Sequence, residues 1–111
     1  MTGEYTSLFD SEIPGQESAT VEFKVSITRS FLKTVSAYAN YAAGKIVFGI
    51  SDAGEVLGLS GKDTDLSDAA LRIENMINDS LSPRPTFSLV LDDIHKVITL
   101  NVTEGFDKPY L

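Results

Sequence analysis

The feature that most constrains this chain is the run Lys45–Ser51, in which Ile46, Val47, Phe48, Gly49 and Ile50 follow one another without a polar residue. A strand apolar on both faces belongs in the interior of a sheet, covered from two sides. The run therefore predicts an interior strand. Everything else in the chain has to supply its neighbours and its cover.

The supply is legible on both sides of the run. Thr20–Ile27 alternates: Val21, Phe23, Val25 and Ile27 point one way and Glu22, Lys24 and Ser26 the other. That period predicts a strand with one buried face, leaving Glu22 and Lys24 accessible together. Arg29–Ala43 carries Phe31, Leu32, Val35, Tyr38, Ala39 and Ala42 at spacings of three and four, which predicts an amphipathic helix. Thr28 or Ser30 can cap its start, and Gly44 suits a left-handed position just past its end.

After the apolar run, Asp52-Ala53-Gly54 reads as a turn and Glu55–Leu59 as a short returning strand. Ser67–Leu81 is a second helix, with Ser67 as cap and Leu71, Ile73, Met76, Ile77 and Leu81 on its apolar side. Ser82-Pro83-Arg84-Pro85 stops it. Phe87–Leu91 and Val97–Val102 are two strands around the acidic turn Asp92-Asp93. The expected order is β-α-β-β-α-β-β, an α+β fold with a mixed sheet and two helices.

A length of 111 residues suits one domain. Residues 1–16 read as an acidic lead-in around Pro14-Gly15, and 17–111 as the folded unit. The ending Lys108-Pro109-Tyr110-Leu111 reads as a boundary inside a longer protein. With no cysteine, disulfides and thiolate metal sites are excluded. No apolar run approaches a membrane span, and the first residues have no signal-peptide character. The expected location is the cytoplasm.

Nine basic and sixteen acidic residues give a net charge of −7. Nucleic-acid affinity comes largely from cations that neutralise phosphates. An acidic chain must use a local basic patch, a carboxylate-bound metal ion, or another domain.

An ordered series of short pieces resembles the Schlafen AlbA domain. The pieces are Glu22-Phe23-Lys24, Ala37-Tyr38-Ala39-Asn40, Ile46-Val47-Phe48-Gly49-Ile50-Ser51-Asp52 with Gly54, Gly58-Leu59, the Pro83 and Pro85 pair, and Gly105 through Pro109-Tyr110. Where the family usually ends its helix in two glycines, this chain has Ala43 and Gly44. The resemblance implies an Alba-like fold, also called a divergent AAA module, and a DNA- or RNA-binding role in a transcriptional regulator. In related Schlafen cores two glutamates and an aspartate cleave structured RNA. The matching positions are Glu17, Glu22 and Asp52. With Mg²⁺ or Mn²⁺ these would form a carboxylate metal site that activates water. Whether the chain is an enzyme depends on their convergence.

Phosphate contacts are expected from Lys24, Arg29 and Lys33, the last two one helical turn apart. Lys45 is a further basic residue of the same stretch. Asn40 is expected to bond the loop backbone, and Asp52 has an alternative as a turn residue. His95, the single histidine, is expected to be exposed and rules out a multi-histidine metal site. Gly58-Leu59-Ser60-Gly61-Lys62 is not a phosphate loop: Val56 and Asp63 stand where Gly and Ser or Thr are required, so no autonomous ATP binding is expected. Three functions therefore compete: a nucleic-acid-binding module, a metal-dependent nuclease core, and a protein-interaction or homodimerisation domain.

Overall fold

The computed structural model describes residues 20–41 and 43–103. In chain order the elements are strand β1 (Val21–Lys24), helix α1 (Phe31–Tyr41), strand β2 (Gly44–Phe48), a single 3₁₀ turn (Gly61–Asp63), helix α2 (Leu66–Ser80), and strands β3 (Phe87–Asp92) and β4 (Val97–Val102). The strands form one mixed sheet in the order β1-β2-β4-β3. β1 runs parallel to β2, while β4 is antiparallel to both β2 and β3. The Ile46–Phe48 part of the apolar run thus lies inside the sheet, while the expected strand stops short of Ser51: Gly49 turns away at φ +106° and Ile50 makes only an isolated bridge.

Both helices cover one face. Phe31, Val35, Ala39, Ile73 and Ile77 from the helices pack with Ile46, Phe48, Ile98, Leu100 and Val102 from the sheet. The Phe31 and Phe48 rings meet edge to face at 5.4 Å, the arrangement the ring quadrupoles favour. The alternate residues Val21, Phe23, Val47 and Val97, with Ile50, form a second buried cluster on the opposite face. Val47 and Phe48 are both fully buried because each lies in a different cluster.

β1 is shorter than its alternation suggests. Lys24 is its last residue, and the Lys24 carbonyl accepts from both Gly49 N at 2.7 Å and Ile50 N at 3.3 Å. That shared acceptor closes the parallel ladder. The chain then turns, Val25 is 52% exposed, and Ile27 is buried among the helices, away from Val21 and Phe23. The expectation that Val21, Phe23, Val25 and Ile27 share one buried face holds only for the first two.

The expected returning strand at Glu55–Leu59 reduces to one bridge, Ile50 to Val56. Leu57 N and Gly58 N both donate to Gly49 O, and Leu59 N donates to Lys96 O. The segment leaves β2 at once and docks on the β3–β4 turn instead. The observed order is β-α-β-α-β-β.

Three local expectations also change. Gly44 opens β2 and is absent from the positive-φ glycines. Its role is space, since a Cβ there would lie 2.6 Å from the Tyr38 ring. Asp65, not Ser67, caps α2, accepting from Ser67 N and Asp68 N. Leu71 is 55% exposed because Leu66, Ala69, Ile73 and Ile77 already define the buried stripe, and Leu71 falls on the far side of that helix. Asp63, buried at the start of this unit, pairs with Arg72.

Candidate nucleic-acid interface

The register of β1 on β2 places Glu22 beside Ile46 and Lys24 beside Phe48, on the helix-bearing face. α1 begins directly above them. Thr34 Oγ1 donates to Glu22 Oε1 at 2.7 Å, and Lys24 Nζ lies 3.1 Å from Glu22 Oε2. Lys24 Nζ also donates to Ser30 Oγ at 3.1 Å, and Ser30 Oγ is 3.0 Å from Thr28 Oγ1. A hydrogen-bonded chain therefore joins β1 to the first turn of α1. Both Glu22 and Lys24 are partly buried, so they are less accessible than strand alternation alone suggests.

Ser30 connects this chain to an open groove of about 660 Å³ between α1 and the end of α2. Arg29 and Lys33 line the groove together, with Ser30, Ser36 and Ser80 as polar neighbours and Leu32 and Leu81 as its apolar floor. Arg29 Nη2 donates to Ser80 Oγ at 3.4 Å. Arg29 and Lys33 are thus brought to one surface, and Lys24 reaches it through Ser30. Lys45 is elsewhere: it pairs in register with Val21 on the opposite face and donates to Asn101 Oδ1 at 3.0 Å.

The three expected carboxylates fare differently. Glu17 lies outside the described residues. Asp52 is exposed in the turn beyond β2. Among the described residues no three His, Asp or Glu side chains come close enough to hold a metal ion. In this arrangement one Glu22 oxygen holds the Lys24 ammonium and the other a hydroxyl donor. A Mg²⁺ ion prefers carboxylate and water oxygens in near-ideal octahedral geometry. At Glu22 such an ion would share the carboxylate with the Lys24 ammonium.

Asn40 Nδ2 donates to Ser36 Oγ at 3.4 Å, one turn back along α1. His95 is exposed and its Nδ1 is 2.8 Å from Asp92 Oδ2. Asp92 also caps the turn, accepting from Ile94 N and His95 N. The His95 hydrogen bond, before all else, holds the Asp92 carboxyl below its ordinary value.

Sequence reasoning did not single out Thr34 or Ser80. Thr34 is twelve residues from Glu22, and Ser80 is fifty-one from Arg29. No local period connects such pairs, and neither hydroxyl stands out in composition. Among the described residues, no helix is long and apolar enough to cross a membrane.

Comparison with curated proteins finds no match. A family model does match, described as Schlafen, AlbA_2, and it spans residues 17–111. That span contains every element of the sheet and both helices, so the chain belongs to the Schlafen AlbA_2 family.

Proposed function

We propose that this domain binds nucleic acid, DNA or RNA, as the recognition module of a longer cytoplasmic transcriptional regulator. The observation that carries the reading is the pair Arg29 and Lys33 on one groove, with Lys24 joined to that groove through Ser30. In a chain of net charge −7, a concentration of cations on one surface is where a phosphate backbone can approach. The serine hydroxyls beside them can donate to phosphate oxygens, contacts that position a strand without reading its sequence. The family assignment supports a nucleic-acid-related role of this kind.

The site is small. With two or three cations, log K should fall against log salt with a slope of about −2 to −3 on duplex DNA. The test is a titration of labelled DNA and RNA oligonucleotides at several salt concentrations, using the wild type and Arg29→Ala/Lys33→Ala. The wild type binds weakly and loses affinity as salt rises, while the double variant loses most of the binding. Affinity that barely changes with salt, or survives the double substitution, rejects the reading.

A further inference from the structure

We propose that β3 is a self-association edge, through which a second copy of this chain pairs antiparallel about a two-fold axis at Leu89. Among the described residues β3 pairs only with β4, so its other side forms an edge of the sheet. Edge strands in natural proteins are commonly guarded by lysine, proline or a bulge. Phe87-Ser88-Leu89-Val90-Leu91-Asp92 contains neither lysine nor proline, and its six-residue register with β4 is continuous. Phe87 and Leu89 are half-buried on the helix-bearing face, Leu91 on the same face is 37% exposed, and Val90 on the opposite face is 56% exposed.

The ends of the strand select both partner and direction. Arg84 lies just before β3, with its side chain 59% exposed, its guanidinium 5.3 Å from the Phe87 ring centre, and a long 3.5 Å contact from Nη2 to Glu74 Oε2 that leaves its other donors open to a second copy. Asp92 and Asp93 lie at the other end. Antiparallel pairing of two copies sets the Arg84 end of one beside the Asp93 end of the other, twice. Parallel pairing would set Arg84 beside Arg84 and the carboxylates beside one another. A two-fold axis perpendicular to the sheet keeps both copies' helices on one face, so residues of equal parity must face each other. With Leu89 on the axis, Phe87 faces Leu91 of the second copy and Ser88 faces its Val90. The half-exposed apolar side chains of the helix face then become one continuous strip.

Six residues a side make a small interface, well below the roughly 1,000 Å² of a stable complex. The dimer is therefore concentration-dependent. The chain has no cysteine, so introduced ones report the register without interference. Ser88 and Val90 are both exposed, and replacing either leaves the core intact. Facing residues in an antiparallel pair are about 4.5–5.5 Å apart at Cα, within the range of about 4.4–6.8 Å that a disulfide spans. Under mild oxidation at high protein concentration, a mixture of Ser88→Cys and Val90→Cys chains forms a mixed covalent dimer, and neither variant alone does so efficiently. In sedimentation equilibrium Arg84→Glu weakens the wild-type dimer about tenfold, and Arg84→Glu/Asp93→Lys restores it. A chain that stays monomeric into the millimolar range overturns the proposal. So does a dimer that ignores the charge swap, or one in which Val90→Cys alone links as readily as the mixture.

Discussion

Lys24 Nζ and Glu22 Oε2 lie 3.1 Å apart on the helix-facing side of a four-residue edge strand, with Thr34 Oγ1 holding the other Glu22 oxygen at 2.7 Å. The pair joins the strand to α1, and it also removes one cation from the phosphate-binding surface. That second effect can be measured. Glu22→Gln keeps an oxygen for Thr34 and deletes the charge that holds Lys24. The variant should bind oligonucleotide more tightly than the wild type, with a salt slope steeper by about 0.7 to 0.9 as Lys24 becomes available. Its stability should fall by no more than about 1 kcal/mol, since partly exposed ion pairs contribute little. Unchanged affinity would separate Lys24 from the binding surface.

Gly49 has φ +106°, and a Cβ added to it would lie 2.9 Å from the Lys96 carbonyl oxygen. That atom belongs to backbone that also accepts from Leu59 N at 2.7 Å, so it has little freedom to retreat. Gly49→Ala should cost about 1–3 kcal/mol, through strained backbone and close approach together. Each kcal/mol lowers the midpoint of a domain this size by roughly 4–8 °C. Gly61, also at positive φ but with no atom within 4 Å of a built Cβ, is the control. Gly61→Ala should cost less in the same thermal melts.

Asp63 is buried and pairs with Arg72, whose side chain is one-third exposed. Asp63→Ala leaves Arg72 able to turn toward water. The expected loss is therefore about 1–3 kcal/mol, the cost of an unmade charged hydrogen bond, rather than that of a fully buried ion. Arg72→Ala should be at least as damaging, because the Asp63 carboxylate remains buried without its partner. Denaturant titrations of the two variants give the comparison directly.

The Asp92 carboxyl is held below its ordinary value by hydrogen bonds from His95 and the turn backbone. A depressed carboxyl stabilises the fold above its unfolded-state pKa, near 4, and that contribution disappears as pH falls through the folded value. Stability should thus drop on acidification below about pH 4. Asp92→Asn keeps an acceptor for Ile94 N and His95 N but cannot titrate. Its stability–pH profile should be flatter in that window, and a profile parallel to the wild type would refute this source of acid sensitivity.

Two kinds of information decided this protein. Short-range periodicity was sufficient for the interior strand and the two helices. The unbroken Ile46–Ile50 run required an interior strand, and the three-and-four spacing of Phe31, Leu32, Val35, Tyr38 and Ala39 required a helix with one buried side. These patterns are readable because each reports only whether a residue meets water or core. The resemblance of Glu22-Phe23-Lys24 and its companion pieces to the Schlafen AlbA domain was likewise a property of the chain alone. Tertiary structure decided what lies between elements. Alternation carried Val25 into the expected strand, but the Lys24 carbonyl is taken by Gly49 and Ile50, and the chain turns there. Val56 and Leu57 could have extended a hairpin, yet Leu59 finds its acceptor on Lys96, thirty-seven positions away. Arg29 and Lys33 meet Ser80 only because α1 and α2 pack on the same face. Hydrogen-bond acceptors and cations are satisfied by whichever group is nearest in space, and that choice has no period along the chain.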